Sequence, residues 1–222
     1  MIGPLLRLIY PPKCVLCRRL LTREQTDLCH SCRTNAPYFP KSKIKLSFLA
    51  QWDGLWYYKE DVRNSLLRFK FGHRSAYAGA YGRALAMKLL SLGWDDTDVL
   101  TWVPISSRRK FRRGYDQSEL IGRVVAAELG MELTPTLRKI RHTKPQSGMG
   151  DAAHRRANIL GAYRALDPAF LAGKRILLLD DIITTGATAS ECARVLLTAG
   201  AKEVKLATVA VASHEKSCDK SR

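Results

Sequence analysis

At 222 residues, with 26% charged and 46% hydrophobic, the chain can bury one substantial core and carry a small appendage, and this balance excludes extensive disorder. Lys and Arg number 37 against 20 Asp and Glu, a formal charge of +17 that favours anionic partners: nucleic acid, nucleotides, phosphorylated sugars or acidic membranes. No apolar run approaches the ~18 residues of a membrane span, and Arg7 interrupts the opening "MIGPLLRLIY", so the expected location is the cytoplasm.

Two CxxC pairs come first, Cys14 and Cys17 in "CVLC" and Cys29 and Cys32 in "CHSC", separated by 11 residues. Each pair can grip a metal from one side of a tight turn, and two such knuckles complete a tetrahedron of soft thiolates, so the spacing predicts a structural zinc ribbon. His30 lies inside the second knuckle, where four cysteines already fill the shell. Arg7, Lys13, Arg18, Arg19, Arg23, Arg33, Lys41, Lys43 and Lys45 surround the knuckles against Glu24 and Asp27 alone. This basic surface reads equally as a track for a nucleic-acid backbone, with Tyr38 and Phe39 as stacking platforms, or as a solvated face on a docking appendage.

Pro37, Pro40 and "KSKIK" mark a linker, which divides the chain into a zinc-ribbon module over 1–45, a main domain over 46–213 and a disordered tail over 214–222 that includes Cys218. "WDGLWYY" reads as a strand or hairpin piece with core aromatics. Two helices follow: "EDVRNSLLRFKF" sets Val62, Leu66 and Phe69 on one face, and "SAYAGAYGRALAMKLLSL" repeats Tyr77, Tyr81, Leu85 and Leu89 at steps of four.

Strands and helices then alternate. "VLTWVPI" (99–105) is a buried strand, "SELIGRVVAAEL" a helix stopped by Gly130, and "TLRKI" (136–140) a short strand. "RILLLDD" is a strongly apolar strand, "ATASECARVLLTAG" a helix stopped by Gly200 with Cys192 on its apolar face, and "EVKLATVAV" a strand that closes the sheet. The alternation predicts an α/β fold, a parallel sheet flanked by helices, with ligands beyond the carboxyl ends of the strands.

Three segments fall at such ends. "PISSRRKFRRGYDQ" crowds Arg108, Arg109, Lys110, Arg112 and Arg113 into six positions, and "RHTKPQSGMGDAAHRRAN" is a basic loop holding Gly148 and Gly150, with His142 a modest candidate for substrate contact. The third, "DDIITTGAT", offers backbone amides at a helix start, the hydroxyls of Thr184, Thr185 and Thr188, and Gly186 for close approach of a phosphate. Neither GxxxxGK[ST] nor GxGxxG is present. Asp180 and Asp181 would repel a lone phosphate, but they suit a ligand with a diol beside the phosphate, because carboxylates accept hydrogen bonds from ribose hydroxyls and help hold Mg²⁺. In an extended strand neighbours point to opposite faces, so both can serve one sugar only if the chain bends there.

"ILLLDDIITTGAT" resembles the phosphoribosyl pyrophosphate (PRPP) signature of type I phosphoribosyltransferases. More narrowly, residues 5–212 resemble the ComF/GntX family, phosphoribosyltransferase-like competence proteins with an N-terminal zinc ribbon, through the two CxxC pairs, "VPISSRRKFRRGYDQSE", "RHTKPQSGM" and "RRAN". The resemblance implies that Asp180 and Asp181 bind the ribose diol and Mg²⁺, and that Thr184, Thr185, Gly186, Ala187 and Thr188 take the 5′-phosphate. It implies Arg109 and Arg113 near the pyrophosphate, and Thr143, Gln146, Arg155 and Asn158 on a loop that closes over the site. Asp116 stands where the family usually has Asn, and Thr184 stands where purine-salvage members carry an acid, which argues against purine salvage. Two functions follow: Mg²⁺-dependent transfer of the phosphoribosyl group with pyrophosphate release, or a non-catalytic PRPP sensor that binds single-stranded DNA. The family's link to DNA uptake and natural transformation implies competence or DNA-processing proteins as partners.

Overall fold

In the computed structural model, residues 11–42, 44–94, 96–141 and 157–212 are described. The first helix, α1, spans His30–Asn35. After it come β1 (Gln51–Tyr57), α2 (Glu60–Phe71), α3 (Tyr77–Leu92), β2 (Val99–Trp102), α4 (Ser107–Arg113), α5 (Gln117–Leu129), β3 (Leu137–Lys139), β4 (Tyr163–Ala165), α6 (Pro168–Leu171), β5 (Arg175–Ile183), α7 (Ala187–Thr198) and β6 (Glu203–Val211).

Four strands pair in parallel in the order β1-β6-β5-β2. Side chains alternate along β5: Leu177 and Leu179 enter a core with Val62, Leu66, Phe69, Tyr81 and Ile121 from α2, α3 and α5. Ile176 and Leu178 enter a second core with Cys192 and Leu196 of α7, Leu171 of α6 and Tyr163 of β4. A sheet covered on both faces needs apolar residues at both parities, which is why β5 and β6 read as near-continuous apolar runs. Helix α5 crosses α3 closely at Gly82, where a Cβ would stand 2.4 Å from that of Val124. Substituting Gly82 would therefore push these helices apart.

Two sequence expectations need correction. The 136–140 strand does not join the parallel sheet: Leu133 makes one isolated bridge to Leu100, and the chain then leaves that edge so that β3 pairs antiparallel with β4. The last strand, β6, does not close the sheet but sits inside it, because β1 takes its outer side from Gln51↔Lys205 to Tyr57↔Val211. The basic stretch after β2, for which the sequence carries no helical expectation, forms α4 (Ser107–Arg113), ended by Gly114.

The segment read as a linker is tied to the domain along much of its length. Phe39 donates its N–H to Leu55 O and stacks on Trp52 at 5.5 Å, and Trp52 Nε1 donates to Ile44 O at 2.6 Å. Leu46 and Leu49 pack against the second core. Tyr38 bridges Trp56 on the free edge of β1 and donates its hydroxyl to Arg33 O at 2.7 Å. Phe39 is thus a packed side chain rather than a platform for bases, and Tyr38 is half committed to the same edge.

Candidate phosphoribosyl site and zinc ribbon

Strand β5 runs on past both aspartates, pairing Asp180 with Thr208, Ile182 with Ala210 and Ile183 with Val211. The chain does not bend before the carboxylates. Helices bring polar groups to them instead: Ser118 Oγ, from the first turn of α5, donates to Asp180 Oδ1 at 3.1 Å, and Lys70 Nζ, from the end of α2, lies 2.8 Å from Asp181 Oδ2. Asp180 Oδ1 also accepts the N–H of Asp181 at 2.8 Å. Burial first, then the charge of Asp181, pushes the Asp180 carboxyl up to about 7, against the pull of that N–H, Lys70 and Ser118. A carboxyl so poised gains from a cation or a diol that replaces lost solvation.

The turn after β5 has the shape of an anion seat. Gly186 caps α7 with φ +76°, the left-handed region that favours glycine, and a Cβ there would meet Leu46 Cδ2 at 2.8 Å. Ser190 N–H closes the first helical bond onto Gly186 O at 2.8 Å, and Thr185 Oγ1 accepts from Ala187 N at 3.5 Å. A shallow, solvent-open pocket is lined by Asp180, Ile182, Ile183, Thr184, Gly186, Ala187, Thr188 and Ala189. Asp181 does not line it, so the two aspartates occupy unequal positions.

Across from this turn, Asp116 is buried at the start of α5, where its carboxylate accepts from Ile105 N at 2.9 Å, Ser118 N at 3.1 Å and Glu119 N at 3.4 Å. Burial pushes it up to about 6 despite those bonds, with Asp181 and Glu119 adding to the rise. The acid at this position is therefore a helix cap that also ties down the β2–α4 connection. Arg113 Nη1 donates to Gln117 Oε1 at 2.7 Å, and its guanidinium lies over Phe71 at 5.2 Å. Arg113 Nε and Gln117 Nε2 are buried donors with no hydrogen-bond partner among the described residues. Arg109 is half-buried, and burial, then the charges of Arg113 and Arg112, lowers its pKa.

Lys139 and Lys70 were not singled out by the sequence. Lys139 Nζ donates to Tyr163 OH at 3.1 Å, and burial, then the charge of Arg109, draws its ammonium down to about 8. Its strand pairs with β4, which the sequence reading did not identify. Lys70 ends "RFK" on a helix whose apolar face is legible, but no local pattern announces its reach to a strand more than 100 residues away. Thr143, Gln146 and Arg155 lie outside the described residues, as do His142, His154 and the tail. Asn158 is described, and its carbonyl accepts from Arg141 Nη2 at 3.1 Å. No helix among the described residues is long and apolar enough to cross a membrane.

At the other end of the chain, one ligand atom each from Cys14, Cys17, Cys29 and Cys32 lies within 4.8 Å of the others, with Cys17 and Cys29 sulfurs 3.6 Å apart. Four thiolates around zinc at about 2.3 Å stand ~3.8 Å from one another, so these sulfurs fit the ion. The thiols shift one another: against the rise that burial gives Cys29, the Cys32 N–H and neighbouring thiols bring it down to about 7, while burial and the neighbouring thiols push Cys32 up and burial raises Cys17.

Comparison with known families accords with both halves. Residues 116–221 match the phosphoribosyl transferase domain, and residues 5–43 match the double zinc ribbon domain. The fold and these matches define a type I phosphoribosyltransferase-like protein with an N-terminal zinc ribbon. Over 203 residues the chain is 32% identical to DNA utilization protein YhgH of Salmonella typhimurium, covering 87% of each. It is 28% identical over 222 residues to Competence protein F of Haemophilus influenzae, covering 87% of this chain and 94% of that one. The chain belongs to the ComF family. Among solved structures, a glutamine PRPP amidotransferase from B. subtilis overlaps 61% of this chain and 26% of its own, at 24% identity and a TM-score of 0.42.

Proposed function

We propose that the chain binds PRPP with Mg²⁺ at the carboxyl end of β5 and transfers its phosphoribosyl group to a nitrogen nucleophile, releasing pyrophosphate. The observation that carries this is the pocket in which Asp180 shares one wall with the left-handed Gly186 turn and the start of α7. The turn receives the 5′-phosphate on the backbone amides and hydroxyls of Thr184–Thr188, and Asp180 accepts from the ribose diol, with Asp181 beside it. Arg109 and Arg113 face the pyrophosphate, and the unpartnered donors Arg113 Nε and Gln117 Nε2 are suited to hold anionic oxygens there.

In the transfer, the bond from the anomeric carbon to pyrophosphate breaks with its electron pair leaving on oxygen. The nitrogen lone pair forms the new bond, and the nitrogen's proton passes to the departing pyrophosphate or to water. Positive charge on the sugar is met by the Asp180–Asp181 pair, and negative charge on the leaving group by the two arginines. When bound, Mg²⁺ supplies further neutralisation of the pyrophosphate, and one or two carboxylates with substrate oxygens and water are its usual donor set. Asn158, with Thr143, Gln146 and Arg155, belongs to the covering loop in this reading, and cytoplasmic location, PRPP supply and DNA-processing partners go with it.

A second reading, a PRPP sensor that handles single-stranded DNA, is favoured by Thr184, which puts no carboxyl where an acceptor's proton would be removed, and by the DNA utilization and competence names of the relatives. A pyrophosphate-release screen with PRPP, Mg²⁺ and a panel of free bases, nucleosides and oligonucleotides separates them. Release with one acceptor supports transfer; PRPP binding without release under any acceptor supports the sensor.

A further inference from the structure

The zinc ribbon reaches the candidate site most directly through helix α2. Val15 and Leu16, between the first two cysteines, are buried in the same core as Val62, Leu66 and Phe69 of α2. Their carbonyls are capped by α2 side chains: Ser65 Oγ donates to Val15 O, and Arg68 Nη2 donates to Leu16 O at 2.5 Å and to Val15 O at 3.3 Å. One and two residues further on, α2 reaches the site. Tyr115 OH donates to Phe69 O next to the Asp116 cap, and Lys70 pairs with Asp181 at 2.8 Å. Residues 65–70 span about 8 Å of helix, too short to absorb a shift at one end by bending.

A CxxC knuckle holds its intervening carbonyls in place because both cysteines are fixed to one ion. Once the ion is lost, Arg68 and Ser65 lose acceptors of defined position, and the buried groups left behind favour a different seat for α2. Arg83, bidentate to Asp27 at 2.8 and 2.5 Å, binds the ribbon to α3 and does not touch the site. The more direct path runs through α2, since α3 reaches the site indirectly, by packing on α5 at Gly82.

We propose that Lys70 is a positioning residue for Asp181, and that the zinc knuckle, by fixing α2, sets where Lys70 sits, so that zinc occupancy and PRPP affinity are coupled. This rests on the PRPP reading above. Linkage makes the coupling reciprocal: PRPP tightens zinc by the factor with which zinc tightens PRPP.

The test is a two-by-two cycle on the full chain. PRPP with Mg²⁺ is titrated calorimetrically into wild type and Lys70→Met, each zinc-loaded and zinc-stripped under reducing conditions. Zinc removal weakens PRPP about 5-fold or more in wild type, the low end of ordinary coupling, and less than about 1.5-fold in Lys70→Met. Lys70→Arg behaves as wild type. If stripping unfolds the ribbon, Arg68→Ala with its zinc content verified replaces it and gives the same pattern. Equal losses in wild type and Lys70→Met, or no loss in either, overturn the proposal.

A ligand-free arm keeps the two readings apart. Release of zinc to a colorimetric chelator without PRPP runs roughly 3-fold faster in Lys70→Met than in wild type if the two ends of α2 are coupled. An unchanged rate overturns the coupling. Absence of PRPP binding in the zinc-loaded wild type instead removes the PRPP reading, and the chelator rate still decides the coupling.

Discussion

At the carboxyl end of β5 two carboxylates are matched by a lysine and a serine delivered from neighbouring helices, whereas beyond β2 five basic residues crowd into a helix of seven with no acid of its own. The first region is pre-neutralised and shaped around a glycine turn. The second keeps part of its charge unspent: Lys110 is engaged by Glu119 at 2.8 Å, while Arg113 Nε has no hydrogen-bond partner among the described residues. The charge of the acidic pair is thus balanced by residues distant in the sequence, whereas the charge of α4 is concentrated by its own short stretch.

The sharpest way to break this comparison is to dissect PRPP with its parts. Arg109→Ala with Arg113→Ala weakens PRPP by about 100-fold or more and abolishes inorganic pyrophosphate binding while sparing ribose 5-phosphate, since each charged hydrogen bond contributes ~1.5–3 kcal/mol. Asp180→Ala with Asp181→Ala shows the reverse pattern in competition titrations. Identical losses for both probes in both variants would erase the division of labour.

Next in size is the turn itself. Gly186→Ala forces a side chain to φ +76° and against Leu46, so it lowers the melting temperature by roughly 3–10 °C, from ~1–3 kcal/mol of strain. Adding Leu46→Ala restores part of the loss, because the clash is relieved and the dihedral is not. A melting temperature unaffected by Gly186→Ala would deny the strained turn.

The Asp116 cap gives a pH test. Its folded-state value of about 6 lies above the ordinary 3.8, so the folded protein holds the proton more tightly and the carboxylate costs stability. The cost is absent below the ordinary value, grows as pH rises through the interval and is constant above pH ~6. Asp116→Asn therefore gains about 2–3 kcal/mol relative to wild type between pH 4 and pH 7 in urea melts, and a pH-independent difference would contradict it.

The smallest effect concerns single-stranded DNA. Phe111 is 93% exposed between Lys110 and Arg112, whereas Phe39 is packed on Trp52. Phe111→Ala weakens salt-sensitive binding of an oligonucleotide by roughly 5- to 10-fold, as loss of one stacked base does, and exceeds the effect of neutralising Arg18 and Arg19. A larger effect at the ribbon arginines would return the contact surface to the knuckles.

Legibility in the sequence followed locality. The zinc ribbon, the alternation of strands and helices and the acid–glycine turn after β5 each depend on residues within a few positions of one another, and they were readable. Lys70, Lys139 and the capping role of Asp116 depend on which helix ends meet which strand ends, and no spacing rule carries that. The misplacement of 136–140 has the same origin: three residues of alternating burial fit a sheet edge or a separate ribbon equally well, and only β4 decides between them. The packing of Phe39 on Trp52, the bond from Trp52 to Ile44 O and the cover that Leu46 gives Gly186 are tertiary contacts that no local pattern carries.

The central claim is that the Asp180 and Gly186 pocket binds PRPP, and calorimetric titration of PRPP with and without Mg²⁺ tests it most directly. Saturable, Mg²⁺-dependent binding in wild type, lost in a folded Asp180→Ala, Asp181→Ala variant, is the predicted result. Unchanged affinity in that variant, or no binding by the zinc-loaded wild type, would contradict it.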